Sequence, residues 1–294
     1  MPKSTFSKTT PPRVWAVVLA RAGSQRLPNK AMLPLCNRPM ASWYFDALED
    51  AEGIERRFLF SDDDALLDLA KGSHPKIEIP PFQRPPAVSD AQTSSFDSLA
   101  YFLQEWQAQS FEALPDWVML CQCTSPLVQT VDFQKALEDL ESYTENLRST
   151  GLLSVCPPSK PVSWLLKKTQ NDVKPANLHL HDDAENTYVT PNGAFYIVPT
   201  LALLQKPVGF SLWDLGTVLA YEMPWQRSID VDTAPDFQVA EALLDAQLRI
   251  ESTLCEGTDL EKTVFSPKPL APRKRLNPLN PLSRLKQQDR SQDL

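Results

Sequence analysis

The sequence predicts an α/β fold in which helices cover both faces of a doubly wound, mostly parallel β-sheet, as a three-layer αβα domain. The first observation is a continuous apolar run at Val14–Ala20, which has the length of one strand. Such a run is typical of a strand that is buried on both faces of a parallel sheet. The second observation is that strand patterns and helix patterns alternate along the first half of the chain. This alternation indicates βαβ units rather than separate all-α and all-β regions.

Short apolar runs and helical periodicity locate the elements of this fold. The predicted strands lie at 14–20, 57–61, 76–79, 117–121, 151–155, 194–198 and 229–231. The predicted helices lie at 40–51, 93–108, 131–143 and 235–248. One more helix is predicted to begin after the aspartates at 62–64, because a carboxylate at that place can cap a helix. Ligands of such a sheet bind beyond the carboxyl ends of its strands, so the site is expected at that edge.

The domain organisation follows from the places where the alternation fails. One folded domain is predicted at 13–250, after a polar N-terminus at 1–12 that is expected to be disordered and lacks the apolar core of a secretory signal. Residues 156–191 are rich in proline, polar side chains and charge, which predicts a small lobe that leaves the sheet. Residues 251–294 are basic and proline-rich with few aromatic side chains, which predicts a tail of low order.

The composition excludes several classes of function. The formal net charge is −8, and an acidic chain does not favour broad binding to nucleic acid. No apolar run is long enough to span a bilayer, so no membrane span is expected. Five cysteines at irregular spacing predict reduced thiols and therefore a cytoplasmic protein. A site for a phosphorylated ligand must then be built locally, from a few cations, backbone N–H groups and a metal ion.

The loop after the first predicted strand carries candidate phosphate-binding residues. It contains three cations, Arg21, Arg26 and Lys30, together with Gly23. Glycine lets backbone N–H groups approach a phosphate closely, and the cations offset its charge. The spacing is not that of a Walker loop or of the G-x-G-x-x-G fingerprint. The alternative interpretation is a solvated basic turn.

The second candidate is the carboxylate pair Asp230 and Asp232. On a strand, side chains at i and i+2 point to the same face, so these two carboxylates can reach one ion. Mg²⁺ takes one or two carboxylates and leaves its other positions to water and phosphate. The alternative interpretation is two exposed charges on an edge strand.

Five motifs, in one order along the chain, resemble those of the acylneuraminate (CMP-sialic acid synthetase-like) cytidylyltransferases. They are R-x-G-S-x-x-x-P-x-K at 21–30, R-P-P-A-V-S-D at 84–90, L-C-Q-C-T-S-P-L at 120–127, N-G-A-F-Y-I at 192–197 and S-I-D-V-D-T at 228–233. The resemblance implies the nucleotide-diphospho-sugar transferase fold. It also implies an enzyme that transfers CMP from CTP to a nine-carbon 2-keto sugar acid of the sialic, pseudaminic or legionaminic type and releases pyrophosphate.

The resemblance further implies the roles of individual residues. Catalytic roles are implied for Arg21, Lys30, Asp230 and Asp232, and the two aspartates are the implied ligands of Mg²⁺. Nucleotide contacts are implied for Ala20, Arg21, Gly23, Ser24, Lys30, Arg84, Ser94 and Ser95. Contacts with the acidic sugar are implied for Gln122, Asn192 and Tyr196. The family's use of the region at 156–191 also implies a homodimer, whose interface would contain Trp164.

The sequence departs from the family pattern at Gln25, where a second lysine or arginine is common, and at three further places. Lys30 is followed by Ala31 instead of asparagine, and Val128 stands where an arginine is usual. The third place is 182–185, where two aspartates and a glutamate replace a stretch that helps to bind the sugar carboxylate. Three alternatives therefore stay open. The enzyme could take another sugar acid, such as the eight-carbon 3-deoxy-octulosonate. It could use a neutral sugar or another nucleotide. The chain could also be a catalytically weak paralogue with a regulatory or scaffolding role.

Overall fold

The computed structural model describes residues 12–23, 26–90, 92–109, 112–143, 147–160, 166–168, 173–175 and 188–255. The internal contacts divide the chain into two units, Met1–Ala246 and Gln247–Leu294. The central sheet and every described site residue belong to the first unit. Several predictions fall outside the described residues, namely those for 1–11, Ser24, Trp164, 182–185 and 256–294.

Strands and helices alternate as the sequence predicts. The strands are β1 (Val14–Ala20), β2 (Pro34–Leu35), β3 (Arg38–Pro39), β4 (Arg56–Ser61), β5 (Trp117–Cys121), β6 (Thr150–Cys156), β7 (Leu166–Lys168), β8 (Val173–Pro175), β9 (Thr190–Pro199) and β10 (Thr217–Glu222). The α-helices are α1 (Met40–Glu49), α2 (Asp64–Ser73), α3 (Ser95–Gln109), α4 (Thr130–Ser142), α5 (Thr200–Gln205) and α6 (Ala234–Cys255).

A six-stranded sheet with the order β10-β6-β9-β5-β1-β4 forms the centre of the fold. β1 is parallel to both β4 and β5, and β10 is parallel to β6. β9 runs antiparallel to its two neighbours, β5 and β6. The mostly parallel sheet is therefore confirmed, with one reversed strand in its interior.

The central position of β1 explains its uninterrupted apolar sequence. Val14, Ala16 and Val18 pack in one core cluster with side chains of α1, α2 and α4. Trp15 and Val17 point to the opposite face and pack with side chains of α3 and α5. Because both faces of the strand are covered by helices, no position on it favours a polar residue. This arrangement confirms the three layers.

Two predicted strands are wrong. At 76–79 only one bridge forms, between Glu78 and Phe58 of β4. Pro80 and Pro81 follow at once, and residues without an N–H group cannot extend a ladder. The segment at 229–231 is not a strand, although Val231 N donates a hydrogen bond to Thr124 O at 2.8 Å. It is a connection between a short 3₁₀ turn and α6.

The sequence did not predict five strands (β2, β3, β7, β8 and β10), the short helix α5 or the end of α6. β10 lies at an edge of the sheet, and Tyr221 is its one fully buried residue, so it lacks a clear apolar pattern. α6 continues beyond its predicted end at 248 to Cys255, since the sequence has no glycine or proline before Gly257. The predicted tail therefore begins as helix. None of the helices in the described part of the chain is long and apolar enough to cross a membrane.

Within the predicted lobe at 156–191, Cys156, Thr190 and Pro191 belong to the main sheet, whereas β7 and β8 pair with each other. β7 and β8 form a separate antiparallel ladder with Lys167 opposite Lys174. The chain then returns to the central sheet at Thr190, the first residue of β9. The role of this lobe in a homodimer stays a prediction.

Candidate functional site

The candidate site lies where the parallel strands β1, β4 and β5 have their carboxyl ends. Arg21 follows β1, Asp62 follows β4 and Gln122 follows β5. Carboxyl ends of parallel strands meet at one edge of a sheet, so the topology brings these three loops together. The reversed strand β9 adds residues near its amino end, including Asn192 and Gly193.

The loop after β1 is hydrogen-bonded to two other segments, one at Asp90 and one at Asp62. Arg21 Nη1 donates a hydrogen bond to the carbonyl oxygen of Asp90 at 2.8 Å. The backbone N–H of Ala22 donates to Asp62 Oδ1 at 2.9 Å. Asp63 is the residue that caps α2, by accepting hydrogen bonds from backbone N–H groups of its first turn. The aspartates at 62–64 therefore divide two tasks, one anchoring the loop and one capping the helix.

A polar cleft of about 400 Å³ opens beside this loop, a size suited to a small ligand. It is lined by Leu19, Arg21, Arg84, Asp90, Gln92, Thr93, Ser94, Ser95 and Ser98. Four residues that were predicted to contact the nucleotide thus share one cleft. Ser94 is also structural, because its Oγ accepts a hydrogen bond from the backbone N–H of Asp97 at 3.0 Å. Gly23 lies in the loop and is exposed.

Arg84 forms the buried wall of the cleft. Its guanidinium donates to the carbonyl of Ala20 at 2.9 Å, to that of Val88 at 2.8 Å and to Ser98 Oγ at 3.3 Å. Burial lowers the pKa of Arg84, and the nearby Asp62 carboxylate opposes that effect. The side chain therefore fixes the end of β1 to the segment before α3. Ala20, another predicted nucleotide contact, supplies the carbonyl oxygen that accepts the 2.9 Å hydrogen bond from Arg84.

Asp230 is a half-buried carboxylate with an unsatisfied oxygen. Its Oδ1 is buried and accepts no hydrogen bond from the described residues. Burial raises the pKa of Asp230, the Thr124 side chain opposes the rise, and the charge of Asp232 adds to it. A buried carboxylate oxygen without a donor is costly unless a cation or donor completes it.

Asp232 lies between two cations of the first loop. Lys30 Nζ is 2.7 Å from Asp232 Oδ1, and Arg26 Nη2 is 2.6 Å from Oδ2. Lys30 Nζ also donates to the carbonyl oxygen of Val231 at 2.9 Å. The backbone N–H of Asp232 donates to Asp236 Oδ2 at 3.2 Å, which connects the backbone at Asp232 to the start of α6. The loop after β1 and the segment before α6 thus meet at Asp232.

These two carboxylates fit a hard divalent cation, but not through the strand geometry that the sequence suggested. Asp230 and Asp232 are presented by an extended connection whose one ladder-like hydrogen bond is made by Val231. Their donors are carboxylate oxygens, which Mg²⁺ prefers, and the unsatisfied Oδ1 of Asp230 offers one ligand atom. Both oxygens of Asp232 are paired with cations of the first loop, Oδ1 with Lys30 and Oδ2 with Arg26.

Gln122 and Asp230 converge on Gly193. A Cβ atom at Gly193 would lie 3.4 Å from Asp230 Oδ2 and 3.5 Å from Gln122 Oε1. The φ angle of Gly193 is 80°, in the left-handed region that glycine adopts most easily. The glycine therefore lets β9 pass close to both side chains. Gln122, a predicted sugar contact, is consequently next to the predicted metal ligand.

The other two predicted sugar contacts differ in their surroundings. Tyr196 is half-buried, and burial raises the pKa of its hydroxyl, with the charge of Asp230 as a second cause. Asn192 is only 6% exposed, and its amide is engaged inside the protein. Its Oδ1 accepts from Ser154 Oγ at 2.6 Å, and its Nδ2 donates to Ser228 Oγ at 3.0 Å. This geometry favours a positioning role for Asn192, and its contact with a sugar stays a prediction.

A buried ion pair that sequence reasoning missed supports the same segment. Asp132 in α4 is fully buried and accepts hydrogen bonds from Arg227 at 2.9 and 2.8 Å and from the Tyr221 hydroxyl at 3.2 Å. Arg227 ends the 3₁₀ turn that precedes Ser228, so this pair fixes the approach to Asp230. Its members are 95 positions apart in the sequence, so no local pattern predicts the pair.

Comparison with known protein families gives a match over most of the described domain. The sequence profile of the cytidylyltransferase family matches residues 15–202, which is more than half of the chain. The chain is 27% identical over 229 residues to the N-acylneuraminate cytidylyltransferase of Streptococcus agalactiae serotype III (strain NEM316). That alignment covers 75% of this chain and 51% of the streptococcal protein.

Two other relatives differ in length. The N-acylneuraminate cytidylyltransferase B of Danio rerio is 25% identical over 236 residues, which are 77% of this chain and 50% of the zebrafish protein. The CMP-N,N'-diacetyllegionaminic acid synthase of Legionella pneumophila is 26% identical over 239 residues, which are 79% of this chain and 97% of that protein. The chain thus spans about half the length of the streptococcal and zebrafish relatives and nearly all of the Legionella relative.

Solved structures show the same fold. A CMP:2-keto-3-deoxy-manno-octonic acid synthetase complexed with CTP aligns with a TM-score of 0.59 at 16% identity, over 80% of this chain and 99% of that chain. A 4-diphosphocytidyl-2C-methyl-D-erythritol synthase aligns with a TM-score of 0.54 at 10% identity, over 80% and 100% of the two chains. At these identities the likeness supports the architecture and not the substrate.

Proposed function

The chain belongs to the cytidylyltransferase family, and on that premise we propose that it transfers CMP from CTP to an acidic nine-carbon 2-keto sugar. The observation that carries the proposal is the meeting of Lys30 with Asp232 beside Asp230. This meeting supports the proposal because a cation that would bind phosphate lies beside two carboxylates that would hold Mg²⁺. The polar cleft with Arg21 and Arg84 then receives the rest of the nucleotide.

In the proposed reaction the anomeric hydroxyl oxygen of the sugar forms a bond to the α-phosphorus of CTP. The bond from that phosphorus to the pyrophosphate oxygen breaks, and the hydroxyl proton is lost. The residues of the site align the reactants and offset negative charge, which is the main requirement in such transfers. Arg21 and Lys30 supply fixed positive charge from the loop after β1. Asp230 and Asp232 would hold Mg²⁺, which when bound supplies Lewis-acid stabilisation of the phosphate oxygens.

The sugar class is proposed from the relatives and from the side of the site that faces Gly193. The named relatives act on N-acylneuraminate and on N,N'-diacetyllegionaminic acid, which belong to one chemical class. Gln122 and Tyr196 lie close to Asp230 and could meet a sugar whose hydroxyl approaches the α-phosphorus. We do not assign the binding of the sugar carboxylate to Gln122, Tyr196 or Asp230.

Pyrophosphate release from CTP with a panel of sugar acids tests this proposal. The panel contains N-acetylneuraminate, legionaminic and pseudaminic acids, 3-deoxy-octulosonate and a neutral hexose. We expect release with at least one nine-carbon acid and none with the hexose. Release with the eight-carbon acid alone would contradict the sugar class. Binding of CTP without release from any sugar would instead favour a regulatory paralogue.

We further propose that the protein acts as a homodimer in the cytoplasm. The lobe at 156–191 would dock on a second copy, as the family resemblance implies. The thiols of Cys36, Cys121, Cys123 and Cys156 are free, which is compatible with a reducing compartment. Light scattering at micromolar concentration should give twice the monomer mass. A monomer that is unchanged by CTP and Mg²⁺ would contradict the dimer.

A further inference from the structure

Asp232 offers the same two oxygens to the loop cations and to a metal ion. Its Oδ1 accepts from Lys30 at 2.7 Å and its Oδ2 accepts from Arg26 at 2.6 Å. An oxygen that receives a charge-assisted hydrogen bond at such a distance has to give up that donor, at least in part, before it coordinates a cation. The arrangement in the structure and metal coordination therefore compete for Asp232.

The two sides of this contact differ in rigidity. On the Asp232 side, the backbone N–H of Thr233 donates to Asp236 Oδ2 at 2.8 Å, which holds the segment at the start of α6. On the cation side, the Lys30 side chain is 16% exposed, whereas the Arg26 side chain is 67% exposed. Arg26 is thus the partner that can leave Asp232 at the smaller cost. An exposed arginine in a phosphate-binding loop is also well placed to pair with a triphosphate.

We propose that Arg26 exchanges partners when the nucleotide binds, leaving Asp232 for a CTP phosphate. The exchange frees the Oδ2 oxygen of Asp232 when the nucleotide arrives. The inference rests on the proposed function and adds a coupling to it, namely that nucleotide and metal favour each other's binding. Such coupling is reciprocal, so each ligand raises the affinity for the other by the same factor.

Metal binding to the nucleotide-free protein tests the exchange without turnover. Mn²⁺ serves as the probe, and the electron paramagnetic resonance signal of free Mn²⁺ gives the affinity of the full chain at low salt. The variant Arg26→Gln removes the competing donor. We expect its Mn²⁺ affinity to exceed that of the wild type by about two- to fivefold, the range that exposed ion pairs typically give. The difference should shrink at about 1 M salt, because an exposed pair is screened.

Arg21→Gln is the matched control. It removes the same charge from the same loop, but Arg21 donates to the carbonyl of Asp90 and not to Asp232. We expect Arg21→Gln to tighten Mn²⁺ binding less than Arg26→Gln does. An equal gain in both variants would overturn the exchange, because it would reveal a general effect of loop charge.

Asp232→Asn separates failure of the exchange from failure of the metal assignment. It should weaken Mn²⁺ binding if the ion occupies this site. Weakening in Asp232→Asn together with no gain in Arg26→Gln overturns the exchange and leaves the proposed function intact. Wild-type Mn²⁺ affinity in Asp232→Asn would overturn the metal site of the proposed function, and the exchange with it.

Discussion

Lys30 and Asp232 are separated by 202 residues in the sequence, and their charged atoms lie 2.7 Å apart in the folded protein. Lys30 opens a 3₁₀ turn in the loop after β1, and Asp232 precedes α6. The contact joins the first loop of the domain to the segment before α6, at the edge of the sheet where a nucleotide is expected.

Removal of the Lys30 charge should abolish most of the turnover. A preorganised charge on a transferring group contributes about 3 kcal/mol or more, so Lys30→Ala should lower kcat by two or more orders of magnitude. Lys30→Arg should restore kcat only in part. The Lys30 side chain is only 16% exposed, and the wider guanidinium cannot place its charge where the compact ammonium lies. Steady-state pyrophosphate release measures both variants. Full activity in Lys30→Ala would show that the loop is only a basic turn.

Asp230→Asn should remove turnover and yet stabilise the fold. The substitution deletes an anionic ligand but also relieves a buried carboxylate whose Oδ1 has no donor among the described residues. A rise in thermal midpoint together with loss of activity is the expected result at neutral pH. A lower midpoint would show that Asp230 is held by favourable contacts instead.

The stability effect of Asp230→Asn should depend on pH. Burial raises the pKa of Asp230 in the folded protein, so the folded state retains this proton to higher pH than the unfolded chain does. The charged group therefore costs stability, and this cost grows as pH rises above the unfolded value of about 3.9. The gain from Asp230→Asn should be full at neutral pH and vanish below about pH 4. Urea unfolding at several pH values measures it, and a constant gain would contradict the assignment.

CTP should be preferred over UTP, ATP and GTP, because the cleft that contains Arg84 is assigned to the base. Differential scanning fluorimetry with each nucleotide and Mg²⁺ should show the largest rise in thermal midpoint with CTP. Arg84→Lys should remove much of this selectivity, since a lysine ammonium lacks the planar fork of donors that Arg84 directs at the carbonyls of Ala20 and Val88. Equal protection of the wild type by all four nucleotides would contradict the assignment.

Breaking the buried pair of Asp132 and Arg227 should cost much more stability than breaking an exposed pair. Arg227→Met leaves the fully buried Asp132 carboxylate uncompensated, which typically costs about 3–5 kcal/mol. Lys206→Met is the control, because its pair with Asp214 is exposed and should change stability little. Urea denaturation gives both values. A similar loss in the two variants would contradict a supporting role for Asp132.

The parts of the fold that were predictable are those whose signal is local. β1 was predictable because its seven residues are all apolar, and its burial on both faces of the sheet matches that pattern. β10 was missed because an edge strand with one fully buried residue carries no such pattern. The segment at 229–231 was predicted as a strand because the apolar Ile229 and Val231 alternate with Asp230. In the structure, Val231 N instead donates its hydrogen bond to the carbonyl oxygen of Thr124, in the loop after β5.

Residues of the candidate site could be predicted where a sequence motif contains them. Contacts between distant segments of the chain could not be predicted. Arg21, Arg84, Ser94 and Ser95 were expected at a nucleotide and line one cleft. The bond between Arg26 and Asp232 depends on the meeting of distant segments, and no local pattern reports it. The internal engagement of Asn192 was hidden for the same reason, because its partners lie in β6 and in the turn before Ser228.

The central claim is that the chain joins CMP to a sugar through the α-phosphorus of CTP, and ³¹P NMR of one reaction mixture tests it directly. The mixture contains the full chain, CTP, Mg²⁺ and a nine-carbon 2-keto sugar acid. We expect the three CTP resonances to be replaced by one phosphodiester resonance and by pyrophosphate. Release of inorganic phosphate with CDP, or CTP that stays unchanged with every acid of the panel, would contradict the claim.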